Sequence, residues 1–329
     1  MLAPENCPLV SVVILNWNGK NFLNSCVKSV LETDYPTDLL EVIVVDNGST
    51  DGSAKSLKKM FPQVKLVENE RNLGFCVGNN MGVKHASGNL LVLLNNDTIV
   101  NKNWVNEILK SAKDPKIGIV GCRLYFPGTR IIQSIGYRMI FIGYWESIGA
   151  GKENSDEFTK VGDVDFVCGA AMAVKKKVIE TIGLFDPEFY AYAEDLDLCY
   201  RARKAGYRVV TSGAIVYHYG SVSWDHFPIK KAYLFCRNHL YFILKHYSPK
   251  VLLRYVFEYP IRSFKVDLCR FIRGKTVLQI VTISNRKKRW RNIFKSALNI
   301  LLLKTITFFV ALLNMVIRRK IKTKFSTKR

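Results

Sequence analysis

Three carboxylates fall within four positions in the run Ala191-Tyr192-Ala193-Glu194-Asp195-Leu196-Asp197. Leu198, Cys199, Ala202 and Ala205 follow at helical spacing, and Gly206 can end that helix. The acids therefore stand in a first helical turn, where the dipole favours anions. They serve there as ordinary caps or, where one of them points into a cleft, as a general base; spacing alone leaves both open and does not choose among Glu194, Asp195 and Asp197. A further carboxylate, Asp97, follows the apolar run 90–94 in Asn95-Asn96-Asp97-Thr98. At the mouth of a cleft it could hold a hard divalent cation, Mg²⁺ or Mn²⁺, which takes oxygen ligands from one or two carboxylates and from phosphate. The alternative is a cap for the helix that starts near Asn103. His218 stands alone between Tyr217 and Tyr219. It is a structural residue unless the fold carries it to Asp97, where its ring could add a nitrogen ligand.

Such residues need a frame that brings them together. Residues 10–15 are rich in β-branched side chains and end in Asn16-Trp17-Asn18-Gly19, after which Phe22, Leu23, Cys26, Val27, Val30 and Leu31 recur at helical spacing. Residues 41–45 read as a strand ended by Asp46-Asn47-Gly48-Ser49, and Ser53–Met60 reads as a helix. Strand and helix then alternate through 64–67, 79–86, 90–94, 104–112 and 117–120, and 208–211 with 214–217 are strand-like ahead of His218. This alternation predicts βαβ units and a mainly parallel sheet, and continuous apolar strands fit a sheet covered on both faces. Ligands of such sheets lie beyond the strands' carboxyl ends. Three polar clusters, 16–19, 46–49 and 95–97, are expected on that one edge. Each alone is ordinary turn chemistry; three together predict a site. The segment 122–161 carries no pattern of this kind.

The first strand is followed by neither GxGxxG nor GxxxxGK[ST], which weighs against a dinucleotide-binding dehydrogenase and a P-loop ATPase. The eight cysteines form no CxxC pair and no zinc spacing, and Met1 to Pro8 shows no signal-peptide pattern. The thiols therefore read as reduced, cytosolic core filler.

Taken in order, Val44-Val45-Asp46-Asn47-Gly48-Ser49, Asn72-Leu73-Gly74-Phe75, Gly78-Asn79-Asn80, Asn95-Asn96-Asp97, Gly183-Leu184-Phe185-Asp186, Glu194-Asp195 and His218 resemble family 2 glycosyltransferases of the GT-A fold. The rhamnosyltransferase-like branch is the nearest look. The resemblance covers about 9–225. It implies a catalytic domain over 1–225, with a nucleotide-binding half at about 9–120 and an acceptor half at about 121–225. It places Trp17, Asn18, Asp46, Asn72, Gly74, Asn79, Asn95 and Asp97 in a nucleotide-sugar site, with Asp46 on the nucleoside. Asp97 matches the last acid of the family's DxD motif and would bind metal and diphosphate, with His218 completing the metal site. Asp195, in the ED motif, would deprotonate the acceptor hydroxyl. The first acid of DxD is Asn95 here, so an amide stands where the family usually has a carboxylate. The implied reaction is sugar transfer from a nucleotide diphosphate in a single displacement with inversion, assisted by a divalent cation.

Charge divides the chain sharply. Residues 1–225 hold 24 basic and 25 acidic residues, whereas 226–329 hold 25 basic and 2 acidic. The formal charge of +22 thus belongs to the last third, a region expected to be helical and to associate with a membrane. Residues 297–317 are apolar apart from a few polar positions and carry Lys304 as their one charge; the length could span a bilayer. Ser296, Asn299, Lys304, Thr307 and Asn314 fall on one side of such a helix, and basic clusters at 286–295 and 318–329 flank it at both ends. That arrangement predicts peripheral, interfacial attachment at the cytoplasmic face, with a single C-terminal span as the alternative. The partners expected are a nucleotide-diphosphate sugar, a saccharide or lipid-linked acceptor and an anionic membrane surface, and no nucleic acid. The competing readings are a nucleic-acid-binding protein that uses the basic tail and a non-catalytic protein of the same fold.

Overall fold

The structure, a computed structural model, describes residues 7–155, 158, 162–220, 228–255, 257, 258 and 262. The apolar and basic segments beyond 262, including the expected interfacial helix at 297–317, lie outside the described residues. The chain divides into two compact units, Met1–Arg138 with Trp145–His226, and Met139–Tyr144 with Phe227–Arg329.

The first unit begins with strict alternation: β1 (Val10–Asn16), α1 (Leu23–Leu31), β2 (Leu40–Asp46), α2 (Ser53–Met60), β3 (Lys65–Glu68), α3 (Phe75–Lys84) and β4 (Leu90–Asn95). The chain continues through β5 (Thr98–Val100), α4 (Trp104–Ser111), β6 (Ile117–Tyr125), β7 (Ile132–Ser134), β8 (Tyr137–Phe141), β9 (Tyr144–Ser147), β10 (Ala171–Lys175), α5 (Lys176–Ile182), α6 (Glu194–Lys204) and β11 (Arg208–His218), with Met139–Tyr144 of β8 and β9 in the second unit. The main sheet runs β3-β2-β1-β4-β10-β6-β11-β5, with β7 beside β6, while β8 and β9 pair with each other. The expected parallel sheet is present from β3 to β4 and again between β6 and β11. β10 is inserted antiparallel to both β4 and β6, and β5 runs antiparallel to β11, so the sheet is mixed.

The apolar runs make strands because both sheet faces are covered. Val10, Val12, Val13 and Ile14 are fully buried. On one face Leu23, Cys26, Val27 and Val30 of α1 join Trp104, Val105 and Ile108 of α4 in a single apolar core with the strands. On the other, α3 presses close because glycine faces the sheet: a Cβ at Gly78 would stand 2.4 Å from Leu15 Cδ1, and one at Gly82 2.4 Å from Val13 Cγ1. The second unit contains α7 (Pro228–His246), in which Leu240, Phe242 and Ile243 are buried. Among the described residues no helix is long and apolar enough to cross a membrane.

Candidate active site

Parallel pairing brings the three polar clusters to one edge, since Asn16 is in register with Asp46 and Leu15 with Asn95. Asn16, fully buried, ties them together. Its Nδ2 donates to Asp46 Oδ1 at 2.7 Å and Ser53 Oγ at 2.9 Å, and its Oδ1 accepts from Asn96 Nδ2 at 2.8 Å. The other Asp46 oxygen accepts from the Ser49 N–H at 3.0 Å, which leaves a buried, oriented carboxylate at the end of β2. Asn47 does the same for the next loop: its Oδ1 accepts from Asn69 Nδ2 and the Leu73 N–H, and its Nδ2 donates to Asn72 Oδ1 at 3.0 Å. Asn72 in turn accepts from the Gly74 N–H at 2.8 Å. Asn18, in a left-handed conformation, accepts from the Thr50 N–H at 2.9 Å and so braces one loop against the other. Asn79 is buried and bonded to its own helix at Phe75 O. Trp17, just past the end of β1, is partly exposed.

His218 reaches this edge by long-range pairing. β11 bulges between Thr211 and Ile215, and Ser212 Oγ bridges the irregularity by donating to Gly121 O and accepting from the Ala214 N–H. Its last residue then pairs with Thr98 of β5, immediately after Asp97. The result is His218 Nε2 3.4 Å from Asp97 Oδ1 and 3.5 Å from Asn95 Nδ2. The other ring nitrogen, Nδ1, lies 2.6 Å from Gln133 Oε1. A buried carboxylate and an imidazole this close form a donor pair suited to a small divalent cation. Among the described residues no three His, Cys, Asp or Glu side chains gather for that purpose, so further ligands would come from a substrate's oxygens or from water.

The acids of α6 separate into distinct tasks. Asp197 is fully buried and held by Arg201 at 2.7 Å, and the same guanidinium donates to the carbonyls of Ile182, Gly183 and Leu184. Asp195 is half-buried; its Oδ2 accepts from the Gly169 N–H at 2.9 Å and its Oδ1 from the Leu196 N–H at 2.7 Å. Burial raises its pKa while those N–H groups oppose the rise. Glu194 is pushed well above the carboxylate range by burial and then by the Asp195 charge, and its Oε2 is buried with no hydrogen-bond partner. Tyr190, Tyr192 and Ala193, just ahead of them, all have positive φ, a costly conformation for residues with side chains. Gly74 makes room for this loop: at φ +87° it carries no Cβ, which would otherwise lie 2.5 Å from the Tyr190 ring. Asn80 holds the preceding segment, bonding both to the N–H and to the carbonyl of Phe185.

One dipeptide joins the two groups of acids. The N–H of Gly169 donates to Asp195, and the adjacent Ala170 carbonyl accepts from the N–H of Asn95 at 2.9 Å. Asp195 and the Asn95–Asp97 turn therefore flank a single stretch of backbone. Sequence patterns did not mark Gly169, Ala170, Gln133 or Arg201. Asn47 and Asn96 lay within the polar clusters, without a signal that distinguished them from turn residues. Cys26 and Cys122 are buried, and burial raises their thiols to about 12, as suits core residues.

Residues 11–183 match the family model described as "Glycosyl transferase family 2". The chain is 30% identical over 228 residues to the O-antigen biosynthesis protein RfbC of Myxococcus xanthus, covering 66% of this chain but only 18% of that protein. It is 23% identical over 218 residues to glycosyltransferase AglE of Haloferax volcanii, covering 64% and 66% of the two. The mannosyltransferase PcManGT from Pyrobaculum calidifontis, solved in complex with GDP-Man and Mn²⁺, superposes with a TM-score of 0.61 at 18% identity, over 93% of this chain and 88% of that one.

Proposed function

The chain belongs to glycosyl transferase family 2, and from that premise we propose that it is an inverting glycosyltransferase that moves a sugar from a nucleotide-diphosphate donor to a hydroxyl of a saccharide acceptor. The observation that carries the reading is the Gly169-Ala170 backbone between Asp195 and Asn95, which sets a base beside the carboxylate turn at the sheet's carboxyl edge. Asp46, fixed by Asn16 and Ser49, accepts hydrogen bonds from the nucleoside, and the partly exposed Trp17 ring offers a stacking face. Asn72 and Gly74 shape the wall below it.

Asp97 and His218 would hold a divalent cation, Mg²⁺ or Mn²⁺, with Asn95 beside them. Bound there, the cation supplies positive charge to the leaving diphosphate. Asp195 takes the proton from the acceptor hydroxyl as it attacks the anomeric carbon. Its raised pKa makes it a stronger base than an exposed aspartate, and the backbone N–H groups fix its orientation. A single displacement with inversion at the anomeric centre is what the family resemblance implies, with Asp195 as the base.

The acceptor is a lipid-linked saccharide, met at an anionic membrane surface on the cytoplasmic side to which the basic region 226–329 attaches peripherally. A panel of nucleotide sugars tests the enzymatic reading. The wild-type chain is expected to turn over at least one donor, and Asp195→Asn to lose about 10²–10⁴-fold in rate with nucleotide affinity, read by calorimetry, unchanged. Full turnover by Asp195→Asn sinks the base assignment.

A further inference from the structure

We propose that Gln133 is a positioning residue that fixes the tautomer of His218, so that the Nε2 lone pair faces Asp97. The argument begins with what an amide can do. Its oxygen only accepts hydrogen bonds and its nitrogen only donates them. Gln133 Nε2 lies 3.4 Å from the His218 backbone carbonyl, which can only accept, so the amide nitrogen belongs there. That leaves Oε1 facing the ring, 2.6 Å from Nδ1. The reversed amide would set oxygen against carbonyl oxygen. Since Oε1 can only accept, Nδ1 must carry the proton, and in the neutral ring Nε2 then carries the lone pair.

Gln133 sits on β7, whose neighbours Ile132 and Ser134 pair with β6, and Gly220 leaves room for its amide, since a Cβ there would come within 3.1 Å of Nε2. The chain thus spends a side chain, from a segment without sequence pattern, on holding one histidine by both its ring and its backbone.

The consequence lies on the far side of the ring. Nε2 stands 3.4 Å from Asp97 Oδ1, so two electron-pair donors face each other across a short gap. The Asn95 amide nitrogen, 3.5 Å from Nε2, can only donate and so agrees with a lone pair there, and the opposition to the Asp97 oxygen remains. A cation shared by the two relieves it, and this part of the inference rests on the metal reading above. Outer partners of this kind orient ligand histidines, and their loss typically weakens metal affinity by 10–100-fold.

The test uses the full chain with ¹⁵N-labelled histidine. Long-range ¹H–¹⁵N correlation, at a pH where the ring is neutral, reports which His218 nitrogen is protonated. The wild type is expected to show Nδ1–H and Gln133→Leu to lose that preference. In parallel, Mn²⁺ affinity is expected to fall about 10–100-fold in Gln133→Leu, and donor KM to rise at limiting Mn²⁺ and recover at saturating Mn²⁺. Gln133→Met serves in place of Leu if that variant fails to fold. An Nε2–H ring in the wild type, or an Nδ1–H ring with wild-type Mn²⁺ affinity in Gln133→Leu, overturns the proposal. Failure of the wild type to bind Mn²⁺ sinks the metal reading instead, and the tautomer then decides Gln133 by itself.

Discussion

Glu194 and Asp195 are adjacent acids in one helical turn, the first buried and the second half-buried. Both accept backbone N–H bonds, but one Glu194 oxygen is buried without a partner. The pKa of Glu194 in the folded chain therefore lies well above its ordinary 4.5. A raised acid binds protons more tightly folded than unfolded. It weakens stability as pH rises from the unfolded value through the folded one. Glu194→Gln removes that loss. Urea unfolding is expected to show the variant gaining on the wild type between pH 5 and pH 8, and an equal difference at both pH values would contradict the assignment.

Between elements, the loop ahead of α6 is kept in shape by Arg201. The guanidinium neutralises Asp197, which has no exposure, and bonds three carbonyls at the end of α5. An ion pair of this kind is costly to break from one side, because the remaining charge stays buried. Arg201→Met is expected to lose about 3–5 kcal/mol of unfolding free energy in urea; a loss below about 1 kcal/mol, the range of surface pairs, would show that the pair is solvated. Asn80 supports the same loop from α3 by clamping Phe185. The ED turn is thus held from two sides while its own backbone is strained at Tyr190, Tyr192 and Ala193.

Across the whole chain, charge and chemistry are segregated. The catalytic residues proposed here lie within a stretch whose charges nearly cancel, and 226–329 carries the excess of 25 basic over 2 acidic residues. Attachment through such a region is electrostatic at long range and screened by salt. The full chain is expected to co-sediment with anionic vesicles at about 50 mM salt, to bind several-fold less at about 500 mM, and to ignore neutral phosphatidylcholine vesicles. Equal binding to neutral and anionic vesicles would remove the electrostatic account.

The sequence by itself determined the alternating elements, the three polar strand ends and the place of the charge. These are local properties: helical spacing over Ser53–Met60 and apolar runs in β1, β2 and β4 state which faces must be buried. The family motifs also singled out Asp97, Asp195 and His218. Only tertiary structure decided how they meet. β10 was invisible because Ala171-Met172-Ala173-Val174 has neither a long β-branched run nor alternation, and β11 read as two runs because a bulge interrupts it. Asp97 meets His218 through the β5–β11 register, Asp195 meets the strand end through a Gly169 N–H, and Gln133 meets the ring through an amide. Residues so far apart in sequence share no periodicity; their register follows from the collective packing of the whole sheet.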